Sequence, residues 1–410
     1  MKRREFLKTV GLLPFGLTGC QYMPVEGFRN PCLAIQLPKH LREHELMASV
    51  WDGIDSNQVW DVHTHLIGIG DSLAGLWVNP EMTSISNPLL YMKFKFYVNG
   101  SCASSSETES LDESYINRLR QLHNDMPAGF RFMLLAFDYY HNEKGEIDRE
   151  RSVFHTPNGY AIQQVKKYPN QFEWIASIHP YREDWVEELE FVIQHKARAI
   201  KWLPGAMGIN PASPLCDRFY DALVKYNMPL LTHVGAEHAI EVPEDEKYEN
   251  PLLFRRALDK GVRVIFAHCA TLGESIDLDI GDKASKVSNL DLFGRLMDAP
   301  QYKNLAYGDI SAITQVNRDQ EQIEKIVKRE DWHDRLLYGS DYPLPGVMPV
   351  FSPDNYARWG HITESEADLL SEVRRYNPVL FDFMLKRLLK VEGHQFSPSV
   401  FETRSKFLTR

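Results

Sequence analysis

The sequence predicts an α/β chain folded as a (β/α)8 TIM barrel with a long insertion after its first strand. Three observations predict it. Short apolar runs alternate with helical segments, and eight such strand–helix units can be counted from about residue 58 onward. Most of the runs are nearly continuously apolar, as parallel strands buried on both faces must be. Each run also ends in a polar residue. Core packing alone does not require that, whereas barrels of this kind gather their chemistry at the C-terminal strand ends.

In chain order, residues 1–19 stand apart. Lys2-Arg3-Arg4-Glu5-Phe6-Leu7-Lys8 is a basic start with paired arginines, and Thr9 to Leu17 is an apolar run too short to span a bilayer. The run closes on Leu17-Thr18-Gly19-Cys20. This pattern is that of a twin-arginine export signal with a lipoprotein box, cut before Cys20, which would carry the lipid. The expected location is therefore the periplasmic side of a bacterial membrane, with the membrane contacted only through that anchor. Residues 20–57 read as a tether and a lead-in helix from Leu41 to Ile54.

The barrel is expected over 58–390. Its first strand leads to Asp61-Val62-His63-Thr64-His65, and 67–113 form the insertion, read as a lid. In that insertion Trp77 and Tyr97 are either substrate walls or aromatics that pack it onto the body. The later strands run from Phe132 to Phe137 and end at Asp138, and from Phe172 to Ile178 and end at His179. The next runs are Ala197 to Ile200 before Lys201, Pro229 to Thr232 before His233, and Val262 to Ala267 before His268. The last two are Leu305 to Gly308 before Asp309 and Leu336 to Gly339 before Ser340-Asp341. The run at Phe172, with Glu173 and Ser177 inside it, fits a doubly buried strand least well. Helical segments fill the gaps, and a final one from Glu364 to Leu389 is broken at Asn377-Pro378. Residues 391–410 read as a tail packed on the surface through Phe396, Phe401 and Phe407.

The 410 residues are 43% hydrophobic and 25% charged, an ordinary globular balance. The net charge of −10 and the lack of a basic stripe exclude a nucleic-acid partner; a small-molecule substrate is expected, and a homo-oligomer is compatible. Beyond Cys20, the cysteines Cys32, Cys102, Cys216 and Cys269 are widely spaced, so at most one disulfide is expected and its pairing stays open. Cys269 reads as a buried thiol.

Residues two apart on a strand point the same way, so His63 and His65 project together. With His233 from strand five and Asp341 from strand eight they could meet around one ion, and this mixture of imidazole and carboxylate suits zinc, manganese or iron. The order of Asp61-Val62-His63-Thr64-His65, Thr232-His233-Val234-Gly235, Ala267-His268-Cys269 and Gly339-Ser340-Asp341-Tyr342-Pro343 resembles the amidohydrolase superfamily. The closer resemblance is to its branch of aminocarboxymuconate-semialdehyde decarboxylase-like and lactone-hydrolase-like enzymes. It implies that His63, His65, His233 and Asp341 bind a divalent metal, zinc before manganese or iron. It implies that Asp341 shuttles a proton and that His268 orients the activated water or polarises the substrate.

Lys201 stays open. In two-metal members a lysine at this place is carboxylated and bridges the ions, with His268 on the second; a plain ammonium would instead receive a substrate carboxylate. One ion is favoured over two. His179, Arg182 and Glu237 are further candidates for a second metal or the substrate, although an arginine such as Arg182 more often braces a loop against an acidic neighbour. Asp309 is expected to orient a histidine. The activity expected is hydrolysis of an amide, lactone or ester. Non-oxidative decarboxylation on the same site is the alternative, and a silent ligand-binding barrel is the competing class.

Overall fold

The computed structural model describes residues 27–33, 36–236, 245–281 and 283–408. The proposed export signal, Cys20 and Glu237 lie outside the described residues. Among the described residues no helix is long and apolar enough to cross a membrane.

Eight parallel strands form the centre: β1 (Trp60–His65), β2 (Arg131–Leu135), β3 (Phe172–Ile175), β4 (Ile200–Trp202), β5 (Leu230–Thr232), β6 (Val264–Phe266), β7 (Ala306–Asp309) and β8 (Leu336–Leu337). They pair as two arcs, β1-β2-β3 and β4-β5-β6-β7-β8. Single parallel bridges close the arcs into a ring, Ala176 to Ile200 on one side and Thr64 to Tyr342 on the other. The second seam is reinforced where Val62 N donates to Tyr338 O at 3.1 Å and His65 N to Tyr342 O at 3.0 Å.

Side chains alternate across the ring with the strand period of two. Met133, Leu135, Ile175, Ala199, Leu231, Ile265 and Leu337 fill the interior. Their neighbours Phe132, Leu134, Trp174, Ile200, Trp202, Leu230 and Phe266 face the helices. Glu173, the misfit in the sequence pattern, is buried and accepts from Arg131 Nη1 on β2 and from Arg198 Nε just before β4, so its charge is matched at the base of the barrel.

The helices that position the site begin and end where local chemistry demands. In the insertion, α1 (Pro88–Ser101) starts on proline at its first position. After it, α2 (Leu111–His123) opens on a capping box, Ser110 with Glu113. Near the C-terminus α3 (Glu364–Tyr376) and α4 (Pro378–Leu388) are split as expected. Pro378 cannot continue the first helix, and the Asn377 side chain caps the second by accepting from Val379 and Leu380.

Two expectations are corrected. The lead-in helix is two short pieces, Lys39–Arg42 and Glu45–Ser49, because the His44 side chain takes the Leu46 amide and turns the backbone out of the helix. The tail is anchored through Phe396, Phe401 and Phe407, but it does not stay on the surface along its whole length. Thr403 Oγ1 bonds both backbone groups of Trp60, Tyr338 N donates to Val400 O, and Phe407 enters the interior cluster beside Trp60. It stoppers the end of the barrel opposite the strand C-termini.

The insertion is ordered and anchored. Trp77–Val78 pairs antiparallel with Phe154–His155. Cys32 and Cys102 form a disulfide that ties the lead-in to the end of α1. Beside it Asn30 and Asn99 exchange hydrogen bonds, and Asn30 Nδ2 reaches Gly346 O at 3.0 Å. Gly346 has to be glycine, since a Cβ there would lie 2.0 Å from Gly100 O. The insertion thus packs against the loop that follows β8.

Candidate metal centre

β1 carries an irregularity that decides the site. Asp61 pairs with Phe132 and Thr64 with Leu134, so Val62 and His63 together oppose Met133. This is a β-bulge. Without it, strand alternation would turn His63 and His65 away from the face that Trp60 and Val62 present to the interior. With it, Trp60 and Val62 pack the interior and both histidines also face the mouth. Asp61, fully buried on the other face, holds the bulge. Its Oδ1 accepts from His63 N at 3.1 Å and, across the seam, from Ser340 N at 2.8 Å. Burial pushes the Asp61 carboxyl up to about 6 against these bonds.

His63 Nδ1 lies 2.9 Å from Asp309 Oδ2. Burial alone would raise Asp309, but the adjacent His63, then His268 and Ser311, hold it well below the usual carboxylate range. An ionised Asp309 fixes the proton on His63 Nδ1 and leaves the Nε2 lone pair facing the mouth. Burial, then the Lys201 ammonium, lower the affinity of His63 for a second proton, against the pull of Asp309 and Asp341. Its Nε2 lies 3.5 Å from Asp341 Oδ1 and 3.3 Å from Lys201 Nζ.

Asp341 itself sits at a left-handed φ of 60°, uncommon for a residue with a Cβ. Its Oδ1 is buried, 3.0 Å from His65 Nε2, yet makes no hydrogen bond of good geometry. Burial would raise this carboxyl too, but His63, His268 and His65 hold it well below the ordinary range. His268 opens another left-handed stretch, with φ of 57°, 49° and 53° at His268, Cys269 and Ala270. Asp309 Oδ1 accepts the His268 amide at 2.9 Å. The His268 ring Nδ1 lies 3.0 Å from Ser311 O and 2.8 Å from Ser311 Oγ. A carbonyl can only accept, and Ser311 Oγ donates to Asp309, so Nδ1 carries the proton and Nε2, 4.0 Å from Asp341 Oδ2, is an acceptor.

Among the described residues two groups could hold a metal ion: His63, His65 and Asp341, and His63, His268 and Asp309, each with ligand atoms within 4.8 Å of one another. The first fits a divalent cation best. It offers two imidazole nitrogens and a buried carboxylate oxygen that lacks a good hydrogen bond. His233 is in neither group. It is buried beyond the interior residue Leu231, with its ring edge-on to His268 at 5.2 Å.

Lys201 is brought to the centre, but His179 and Arg182 are not; the expectation for His179 is corrected, and for Arg182 the reading as a loop brace is the one the contacts fit. His179 Nε2 meets Met207 O at 2.8 Å and Nδ1 accepts from Tyr181 N at 3.1 Å, so neither nitrogen is left for a metal. Arg182 forks onto Asp184 and donates to Asp138 at 2.9 Å, bracing the ends of β2 and β3. Trp77 leans on Tyr139 at 5.6 Å, with Arg149 over both rings, and so packs the insertion onto the body. Tyr97 is half-buried in α1. Sequence reading missed Ser311; its only signal was its place two residues after the acid that ends β7.

A family model described as Amidohydrolase matches residues 60–349. No curated protein sequence matches the chain. Similar solved structures include an uncharacterised TIM-barrel protein from Bordetella bronchiseptica, at TM-score 0.46 and 12% identity over 74% of this chain and 90% of that one. Another is the IDCase of Metarhizium anisopliae, at TM-score 0.45 and 12% identity over 87% and 97%. A third is 5-carboxyvanillate decarboxylase from Sphingomonas paucimobilis, at TM-score 0.43 and 11% identity over 71% and 90%. The matched span takes in the bulged first strand, the His233 and His268 strand ends and the Asp341 turn, and the chain belongs to the amidohydrolase family.

Proposed function

We propose that the protein is a metal-dependent hydrolase that cleaves an amide, lactone or ester with water activated at the barrel mouth. The observation that carries this is the convergence of His63, His65 and Asp341, with Asp309 fixing the tautomer of His63. His63, His65 and Asp341 would hold one divalent ion, zinc first and manganese or iron as alternatives, with His233, beside His268 at the mouth, as the fourth ligand that the family resemblance implies. Such an ion supplies Lewis acidity and lowers the pKa of water. Asp341, ionised and facing His268 through its second oxygen, takes the proton of the attacking water and returns it to the leaving group. His268, with Nδ1 committed to Ser311, offers an acceptor nitrogen, which suits orienting that water better than donating to a substrate carbonyl.

Non-oxidative decarboxylation is the second reading, favoured by one feature. The buried Lys201 ammonium beside His63 could receive a substrate carboxylate. Glu237 keeps its candidacy for substrate contact on sequence position alone. Metal-dependent turnover of a panel of lactones, amides and aromatic acids separates the two: an amine or alcohol released with an acid means hydrolysis, and carbon dioxide means decarboxylation. Elemental analysis counting two ions per chain would replace the one-ion site. Tight metal binding without turnover of any of them would favour a binding protein.

We further propose export by the twin-arginine route and lipidation at Cys20. The Cys32–Cys102 disulfide supports an oxidising compartment. Mass analysis of the mature N-terminus tests it; an unmodified chain beginning at Met1 would reject the lipoprotein assignment.

A further inference from the structure

On the helix side of β8 lies a buried ion pair with no part in the proposed chemistry. Lys386 and Asp382 stand one turn apart on α4, both with side chains 0% exposed, and Lys386 Nζ is 2.6 Å from Asp382 Oδ2. The same ammonium donates to Gly339 O at 2.9 Å. Gly339 is where the chain leaving β8 touches the metal centre. A Cβ there would lie 2.8 Å from the Cβ of His63 and 3.3 Å from that of Ser311.

The two residues that follow are sewn to β1. Ser340 N donates to Asp61 Oδ1, and Asp341 N to His63 O, both at 2.8 Å. Beyond them Arg374 of α3, also fully buried, donates to Pro345 O at 2.7 Å, Val347 O at 2.8 Å and Phe351 O at 3.0 Å. The segment that bears Asp341 is therefore gripped by a buried cation at each end.

Stability alone is a poor reason for such a pair. Two charges taken out of water repay little of their desolvation, and well-packed apolar residues of similar volume often serve the fold as well. A left-handed aspartate, by contrast, persists only where its surroundings over-determine it.

We propose that Lys386 is a positioning residue for the metal centre. Through the Gly339 carbonyl it fixes the backbone after β8 against His63 and sets Asp341 in its left-handed conformation, while Asp382 holds the ammonium in place. This rests on the reading of His63, His65 and Asp341 as metal ligands.

The test is calorimetric titration of Mn²⁺ into the metal-stripped full-length protein, read beside the thermal midpoint. The Asp382→Leu/Lys386→Met double variant should keep a midpoint near that of the parent and lose about 10-fold or more in Mn²⁺ affinity, as loss of an outer support of a metal ligand does. Its Co²⁺ absorption spectrum should shift, because ligand geometry has changed. Asp382→Asn, whose amide oxygen can still accept from Lys386 and so keeps the donor near Gly339, should lose less Mn²⁺ affinity than the double variant; an equal or larger loss overturns the role given to the Gly339 bond. A double variant with parental affinity and spectrum overturns the proposal. If the double variant does not fold, Lys386→Met alone is read in the same way; failure of both to fold assigns the pair to folding and also overturns it. Parent protein that binds Mn²⁺ no better than His63→Ala/His65→Ala removes the metal reading itself, an outcome distinct from all of these.

Discussion

Asp341 concentrates the chemistry at the residue scale, being at once candidate ligand, proton carrier and strained backbone position. Asp341→Asn keeps the shape and removes the base. Turnover of any substrate found should fall by about 10²–10⁴-fold with the thermal midpoint preserved, which single-turnover kinetics and calorimetry check together. Asp309 acts through His63. Asp309→Asn leaves only neutral partners for Nδ1, the amide oxygen and Ser311 Oγ at 3.1 Å, and should weaken divalent metal binding about 10–100-fold at pH 7. Equal affinity in a direct titration would mean that neutral partners hold the ring as well as the carboxylate does. The neighbouring Lys201 lowers the proton affinity of His63, second only to burial.

Elements matter through their junctions. The β1 bulge turns two histidines to the mouth, and Gly339 lets the chain after β8 pass close enough to touch one of them. Gly339→Ala would drive a methyl to 2.8 Å from the Cβ of His63, and the expected result is loss of bound metal, measured by elemental analysis, before any loss of helical signal. The insertion is held at a second junction. Closing a loop of 70 residues, the Cys32–Cys102 disulfide should be worth about 4 kcal/mol by restriction of the unfolded chain. Urea midpoints of Cys32→Ser/Cys102→Ser against the oxidised parent give that number; no change would mean that the asparagine pair and the Gly100–Gly346 contact suffice.

Over the whole molecule, acid should loosen the fold through histidines kept neutral by burial. Burial pushes His179 down to about 3 and His155 to about 4, from an ordinary 6.5. Below pH 6.5 the unfolded chain takes up protons that the folded chain refuses until pH 3–4. Their contribution is therefore complete above pH 6.5 and drains away as pH falls through that window. At pH 5 each such group should cost about 2 kcal/mol. Asp61 and Asp382, pushed up by burial to about 6 and about 7, bind protons in the folded chain over the same window and oppose this loss. Urea unfolding of the parent and of His155→Gln at pH 7.5 and pH 5 isolates the histidine: the loss between the two pH values should be about 2 kcal/mol smaller in the variant, and an equal loss would contradict it. The ring also depends on its stopper. Phe407 lies 3% exposed in the interior, and Phe407→Ala should cost about 3–5 kcal/mol, measured by the same unfolding curves.

The sequence by itself determined the repeated strand–helix order, the polar residue at each strand end and the break at Asn377-Pro378, because these follow from periodicity and from what proline and asparagine do locally. It also pointed to the candidate residues at positions 63, 65, 201, 268, 309 and 341. What it could not decide was which polar residues converge. His179 and Arg182 share the strand-end pattern with Lys201, but in space their hydrogen-bonding groups are spent on Met207, Tyr181, Asp138 and Asp184. The bulge, the tail within the barrel and the Lys386 hold on Gly339 depend on contacts between segments far apart in the chain. Only the closed ring brings those segments together, so only the tertiary structure settles them.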